Sequence, residues 1–323
     1  MRATNFAIAA ALTALALVAV GCSSDGDDDA AQQTPVPEAP FISAPRVQSW
    51  AYQLQGEDGA DLDLAPLIAS DFDLFVIDYS RDGSDEGRFT SAEISALRDG
   101  GSGGRTVLAY LSIGEAESYR SYWDPAWESE PPPWLGPTNP EWEGNYKVRY
   151  WDPAWLNIVL EYRDDIREAG FDGVYLDIID AFEFFGPDGE MFEQENAASE
   201  MLSLVARIAG SRRQPGLLVF VQNGSAILDV PGFDVASYVR TVDGIGLEDT
   251  FYFGDADENN PLDIQSEVTD VMAAFTYNGK LVLAVDYVTD EAKIADFCTR
   301  ARDEDFVPLT TVRALDRVPE PCP

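Results

Sequence analysis

The sequence predicts an α/β protein, a single-domain (β/α)8 TIM barrel over residues 46–323. Three observations predict it. Eight short runs rich in β-branched and aromatic residues alternate with helix-like stretches from Val47 onward. The runs are nearly continuous in apolar character, as parallel strands covered on both faces are. No glycine-rich phosphate turn follows the first run, so a doubly wound dinucleotide sheet is disfavoured.

The strand signals, in order, are Val47–Tyr52, Leu74–Tyr79, Thr106–Ile113, Gly173–Ile178, Leu217–Gln222, Gly244–Leu247, Leu281–Tyr287 and Phe306–Thr310. The stretches between them carry helix punctuation. Thr90-Ser91-Ala92-Glu93 has the spacing of a capping box. Asp152-Pro153 offers an N-cap followed by proline at the first helical position, and Gly170 offers the stop. Residues 193–212 and 290–304 are further helices.

The chain starts differently. Arg2 precedes an apolar run from Phe6 to Val20, then Gly21-Cys22, then an acidic stretch without a basic stop-transfer flank. This is the pattern of an export signal, and Cys22 stands where a bacterial lipobox places its acylated cysteine. The expectation is a lipoprotein signal over 1–22, a solvated tether rich in Asp, Ala, Gln and Pro over 23–45, and a domain held outside the cytoplasm by a lipid anchor. The other two cysteines, Cys298 and Cys322, are expected to pair in an oxidising compartment.

Composition narrows the chemistry. The chain has 323 residues, 58 Asp plus Glu against 21 Lys plus Arg, and no His, for a net charge of −37. Without His there is no Ser-His-Asp or Cys-His relay and no imidazole metal site. Proton transfer falls to carboxylates, Tyr, Lys, Cys or water. So negative a chain repels phosphate backbones, which argues against a nucleic-acid partner. Most of the acids read as the surface of a salt-adapted protein. An acidic stretch from Asp255 to Asn260 resembles the opening of a Ca²⁺ loop, but it lacks the glycine at the sixth place and the closing Glu, so a solvated loop is expected.

On a barrel the chemistry sits at the C-terminal ends of the strands. Those ends carry Tyr52, Asp78 and Tyr79, Tyr110 and Glu115, Asp177 and Asp180, Asn223, Glu248 and Asp249, and Asp286 and Tyr287. A single such acid is a helix cap; a ring of them is an acidic active site. The connection after the third strand, Gly114 to Trp155, is unusually long and holds six of the seven tryptophans, Trp151 among them. About half of these are expected to line a cleft, where flat rings meet the faces of sugars. Trp123-Asp-Pro-Ala-Trp127 recurs as Trp151-Asp-Pro-Ala-Trp155 and reads as a repeated helix-start device.

Strings in this order — Asp78-Tyr79-Ser80, Leu108 to Glu117, Asn145 to Trp151, Gly170 to Asp177, Gln222-Asn223-Gly224 and Glu248 to Tyr252 — resemble glycoside hydrolase family 114, the endo-α-1,4-polygalactosaminidase group, and its prokaryotic exported branch above all. The resemblance covers residues 47–316. It implies a (β/α)8 barrel that hydrolyses α-1,4-linked galactosamine polymers without a metal or other cofactor, with a catalytic Asp after strand four and Glu after strand six, here Asp177 and Glu248. Independently, glycoside cleavage needs one protonated and one ionised carboxyl, and these two strand ends can face each other. Asp177 is assigned as nucleophile and Glu248 as acid/base, with retention expected for a separation of about 5–5.5 Å and inversion for about 6.5–9.5 Å; Asp180 and Asp249, each within three residues of the pair, are the alternative catalysts or else helix caps. The expected substrate-binding set is Tyr52, Asp78, Tyr79, Tyr110, Glu115, Trp151, Asp180, Asn223, Asp249, Asp286 and Tyr287. The alternative is a carbohydrate-binding lipoprotein with the same cleft and no catalysis. An N-deacetylase ranks last, because its usual metal site needs His.

Overall fold

The computed structural model describes residues 47–101, 104–210, 216–264 and 266–323. The signal over 1–22 with Cys22, and the tether over 23–45, lie outside the described residues. Eight strands form one all-parallel sheet: β1 (Trp50–Gln53), β2 (Leu74–Ile77), β3 (Thr106–Ser112), β7 (Gly173–Asp177), β8 (Leu218–Gln222), β9 (Gly244–Glu248), β10 (Leu281–Asp286) and β11 (Val307–Thr310). Their order in the sheet is their order in the chain, which makes the (β/α)8 barrel. Between β11 and β1 there is no ladder. The Trp50 indole N–H donates to the Val307 carbonyl at 3.0 Å, and Leu54 N–H to the Leu315 carbonyl at 2.9 Å, so side chain and loop close the ring.

A second, antiparallel sheet of β4 (Glu115–Glu117), β5 (Leu135–Thr138) and β6 (Asn145–Val148), ordered β4-β6-β5, is built from the long connection after β3. The helices are α1 (Leu64–Ala69), α2 (Ser91–Arg98), α3 (Pro153–Glu168), α4 (Ala181–Phe185), α5 (Ala197–Ala209), α6 (Val235–Thr241), α7 (Ser266–Tyr277) and α8 (Glu291–Asp303). The capping box at Thr90 forms, with its hydroxyl accepting from Glu93 N–H and the Glu93 carboxylate from Thr90 N–H. Both copies of Trp-Asp-Pro-Ala-Trp start a helical turn. Asp124 accepts from Ala126 N–H at 2.9 Å and Asp152 from Ala154 N–H at 2.7 Å, each followed by proline.

Successive strand residues point to opposite faces, and this alternation divides the core. Trp50, Tyr52, Val76, Leu108, Tyr110, Tyr175, Phe220, Leu283, Val285 and Leu309 fill the barrel interior. Ala51, Phe75, Ile77, Val107, Ala109, Val174, Leu176, Val219, Val221 and Ile245 face the helices. At the entry end, acids just ahead of the strands hold neighbouring strands in register. Asp73 accepts from Gln48 and Ser49 N–H, Asp172 from Val107 N–H at 2.9 Å, and Asp243 from Val219 N–H at 2.9 Å. The three lysines all find internal acceptors: Lys147 Nζ meets Glu115 at 2.6 Å, Lys280 Nζ the Val242 carbonyl at 2.6 Å, and Lys293 Nζ the Asn260 carbonyl at 2.7 Å. Cys298 on α8 is bonded to Cys322, with Cα atoms 5.8 Å apart, and this ties the C-terminal tail to the last helix.

The interior is tight at β9. A Cβ on Gly246 would stand 1.7 Å from the Tyr175 hydroxyl, and one on Gly244 2.2 Å from the Phe220 ring. Gly246→Ala is therefore expected to destabilise the fold by about 2–3 kcal/mol, the cost of overpacking a filled core. Urea unfolding checks this; a midpoint equal to wild type would mean that the strand shifts freely.

Candidate active site

Alternation along the strands also builds the site. Continuing each interior-facing row to the C-terminal end places Tyr52, Asp78, Tyr110, Asp177, Gln222, Glu248 and Tyr287 around one mouth. All of them line a cavity of about 630 Å³. Glu115 and Glu117 join them because both lie on one face of β4. Nine acids and three arginines line this cavity.

Asp177 ends β7 and Glu248 ends β9, with one strand between them. Tyr110 Oη donates to Asp177 Oδ2 at 2.6 Å, and Ile178 N–H to Oδ1 at 2.7 Å. Glu248 takes more donors. Asn223 Nδ2 donates to Oε2 at 2.8 Å, Gln222 Nε2 donates to the same oxygen, and Tyr287 Oη donates to Oε1. Both amides are fixed in orientation. Gln222 Oε1 accepts from Tyr52 Oη at 2.9 Å, and Asn223 Oδ1 accepts from Glu248 N–H at 2.9 Å. Two N–H donors commit Oε2 to accepting, so a proton on Glu248 resides on Oε1, facing Tyr287. Burial first, and the nearby Glu248 charge second, push Asp177 up to about 8. Asp177 therefore holds a proton at neutral pH, the reverse of the state that a nucleophile needs.

The backbone turns sharply at these positions. Ile178, Asn223 and Asp249, each directly after a strand-end site residue, have φ of 59°, 53° and 51°. The left-handed region is costly for a β-branched residue such as Ile178, and such strain collects at functional sites.

Three of the other acids, Asp78, Glu117 and Glu115, are paired with cations in place. Arg120, nearly buried, reaches both Asp78 oxygens at 2.7 Å through Nη1 and Glu117 at 2.7 Å through Nε. Burial still raises Asp78, against the Arg120 charge, which lowers it. Glu115, fully buried, accepts from Asn139 Nδ2 at 2.9 Å and Asn145 Nδ2 at 3.1 Å and pairs with Lys147. Asp180 stands in the cavity wall and, among the described residues, makes no side-chain hydrogen bond; burial raises it and the Lys147 charge eases it.

Four residues expected to bind substrate do not line the cavity. Tyr79 is the outward neighbour of Asp78 and packs on Tyr162 and Phe171 beneath α3. Trp151 packs on Tyr150 and Phe185. Asp249 pairs with Arg313 Nη2 at 2.9 and 3.0 Å. Asp286, facing away from the interior, accepts from Thr250, Phe251 and Tyr252 N–H at 2.7, 3.0 and 2.7 Å, and burial pushes it up to about 7. It fastens the loop that follows Glu248. The tryptophans also differ from expectation, since Trp142 alone of the six lines the cavity. Trp123, Trp127, Trp134 and Trp155 form a column with ring centroids 5.0–5.2 Å apart, and Trp155 Nε1 donates to the Ile113 carbonyl. Hydrophobic rings stacked under a long connection hold that connection to the barrel.

Sequence reasoning missed Gln222, Arg120 and Arg313 as site residues. Gln222 lies in the same Gln-Asn-Gly string as Asn223, and its row parity was the available signal. Arg313 also lines the cavity, and its guanidinium lies 4.2 Å from the centroid of the Tyr287 ring. Among the described residues no cluster of three or more His, Cys, Asp or Glu could hold a metal ion.

The sequence model of glycoside-hydrolase family GH114 matches residues 30–323. An uncharacterized protein of Methanocaldococcus jannaschii is 38% identical over 286 residues, covering 83% of this chain and 77% of the relative. One of Thermotoga maritima is 36% identical over 279 residues, covering 83% and 81%. Among solved structures, the glycoside hydrolase domain of PelA from Pseudomonas aeruginosa superposes with a TM-score of 0.62 at 21% identity, covering 85% of this chain and 98% of that one. Ega3 of Aspergillus fumigatus, in complex with galactosamine, superposes with a TM-score of 0.63 at 20% identity, covering 86% and 97%.

The raised Asp177 has a thermodynamic consequence. The folded chain keeps a proton that the unfolded chain gives up near pH 3.8, so stability from this group is complete below that pH and is lost as pH rises through about 8. Asp177→Asn removes the loss. Its melting temperature is expected to exceed that of wild type by a margin that grows to several degrees between pH 5 and pH 8. Melts across that range check this; a margin constant with pH would contradict the shift.

Proposed function

The chain belongs to glycoside-hydrolase family GH114, and from that membership we propose that it cleaves α-1,4 linkages of a galactosamine-containing polysaccharide by a two-carboxylate, retaining mechanism. The observation that carries the reading is the convergence of Asp177 and Glu248 on one mouth, with each carboxylate held by fixed donors. The substrate class draws support from two sources. The fold neighbour Ega3 is known in complex with galactosamine. The cavity carries a large excess of acid, which suits a sugar bearing an ammonium group.

In the first step Glu248 Oε1 gives its proton to the leaving glycosidic oxygen while Asp177 attacks the anomeric carbon and forms a glycosyl ester. In the second, water attacks that carbon as Glu248 takes back a proton, and Asp177 leaves as a carboxylate. The cycle requires the proton held by Asp177 to pass to Glu248 when substrate binds, which leaves Asp177 ionised for attack and Glu248 charged with the proton it then donates. A cationic sugar beside Asp177 favours the ionised carboxylate, which couples substrate charge to activation. Tyr110 steadies Asp177, and Gln222, Asn223 and Tyr287 steady Glu248.

We place the enzyme outside the cytoplasm, anchored by a lipid on Cys22. The Cys298–Cys322 bond supports an oxidising compartment, and the signal-like start of the chain supports export.

Reducing-sugar release from an α-1,4-galactosamine polymer tests the reading. Asp177→Asn and Glu248→Gln are each expected to lower kcat by about 10²–10⁴; hydrolysis undiminished in both would remove the site assignment. Azide assigns the roles. With an aryl α-galactosaminide, Glu248→Ala should yield an α-glycosyl azide and Asp177→Ala a β-glycosyl azide, whereas the opposite pairing would exchange nucleophile and acid.

A further inference from the structure

We propose that Trp142 is the platform of a remote sugar-binding subsite, which holds a hexosamine unit of the polymer away from the bond being cut. The inference rests on the proposed polysaccharide activity and extends it to chain recognition.

Trp142 is 60% exposed, while Trp134, Trp155 and Trp50 are almost wholly buried. Its exposure is not that of a loose loop. The turn from Asn139 to Asn145 is closed by Asn139 N–H to the Asn145 carbonyl at 2.8 Å and Asn145 N–H to the Trp142 carbonyl at 3.1 Å. Both asparagine side chains end on the same buried carboxylate, Glu115. Ser118 N–H donates to the Gly144 carbonyl at 2.8 Å, and Gly144, at φ 89°, leaves only 3.0 Å between a would-be Cβ and Ser118 Oγ. A turn fastened at so many points fixes the backbone that carries the indole. A ring carried on a fixed backbone costs a ligand less ordering than one on a loose loop.

The surroundings say which ligand. Trp142 lines the same cavity as the catalytic pair, but from the connection between β5 and β6 rather than from a barrel strand. Tyr119, itself 47% exposed, lies against Gly144 and lines the cavity too. Glu143 and Asp82 are the acids beside these rings. An indole face takes the apolar face of a pyranose, and a carboxylate next to it takes the ammonium of a 2-amino-2-deoxy sugar. A neutral sugar would use the ring and gain nothing from the charge of the acids. A subsite off the catalytic pair gives binding energy only to substrates long enough to span both, so it favours internal cleavage of long chains.

The test compares wild type, Trp142→Ala and Trp142→Phe on an aryl α-galactosaminide and on α-1,4-galactosamine oligomers from dimer to octamer. The loss in kcat/KM for Trp142→Ala should grow with length and be about tenfold or more greater on the octamer than on the monosaccharide. Trp142→Phe should recover most of it. The wild-type tryptophan emission should shift to the blue when octamer is added, in Glu248→Gln protein as well, and Trp142→Phe should abolish the shift. A loss independent of length, or an octamer spectrum unaltered by Trp142→Phe, overturns the subsite. A Trp142-dependent shift without any hydrolysis by wild type would leave the subsite standing and remove the galactosaminidase reading. Neither binding nor hydrolysis would remove both.

Discussion

Two carboxylates of the same sign held together in a poorly solvated mouth are the constraint around which this molecule is arranged. Burial and the Glu248 charge both oppose the ionisation of Asp177. The structure meets the cost with donors that have no freedom to leave. Tyr52 turns the Gln222 amide, the Glu248 backbone turns that of Asn223, and both amides then face Glu248. Tyr110 serves Asp177. Three further acids of the mouth are held by cations, Asp78 and Glu117 by Arg120 and Glu115 by Lys147, and beside the mouth Arg313 holds Asp249. Removing one partner from such a set leaves an uncompensated buried charge, which is far worse than never having had the pair.

The barrel was legible in the sequence because its cause is simple. Strands covered on both faces must be apolar throughout, and their helices must start and stop with recognisable residues, as Thr90 and Asp152 do. The catalytic mouth was legible in part, for a reason that particular residues make plain. Asp78 and Tyr79 are adjacent, as are Asp286 and Tyr287, and both members of each pair were expected to meet substrate. A strand alternates faces, so only one of each can. In the first pair the acid points inward. In the second it is the tyrosine, because Leu283 and Val285 set the interior row. Applying that parity to β8 would also have brought Gln222 forward with Asn223.

The tryptophans were harder to read. Richness in aromatic residues has two physical uses, packing and stacking, and composition alone does not separate them. Here a column of four rings fastens a long connection to the barrel wall, and one ring is left to face the cavity. What separates the uses is local hydrogen bonding around each ring, and that depends on contacts such as Asn139 and Asn145 with Glu115, thirty or fewer positions apart in the chain but joined only by the fold of β4 against β6.

The lysines carry a practical consequence. Each side-chain ammonium is seated against an internal acceptor: Lys147 on a buried carboxylate in the cavity wall, Lys280 on the main-chain carbonyl of Val242 at the end of α6, and Lys293 on that of the loop residue Asn260. Reagents that acylate amines, whether for coupling the protein to a bead, attaching a dye or cross-linking a complex, would act on groups the fold is using. Acylated Lys147 would strand Glu115 and loosen both asparagines that steady the turn carrying Trp142. Labels directed at carboxylates on the outer helices, or placed by an engineered cysteine away from Cys298 and Cys322, would report on this molecule without first changing it.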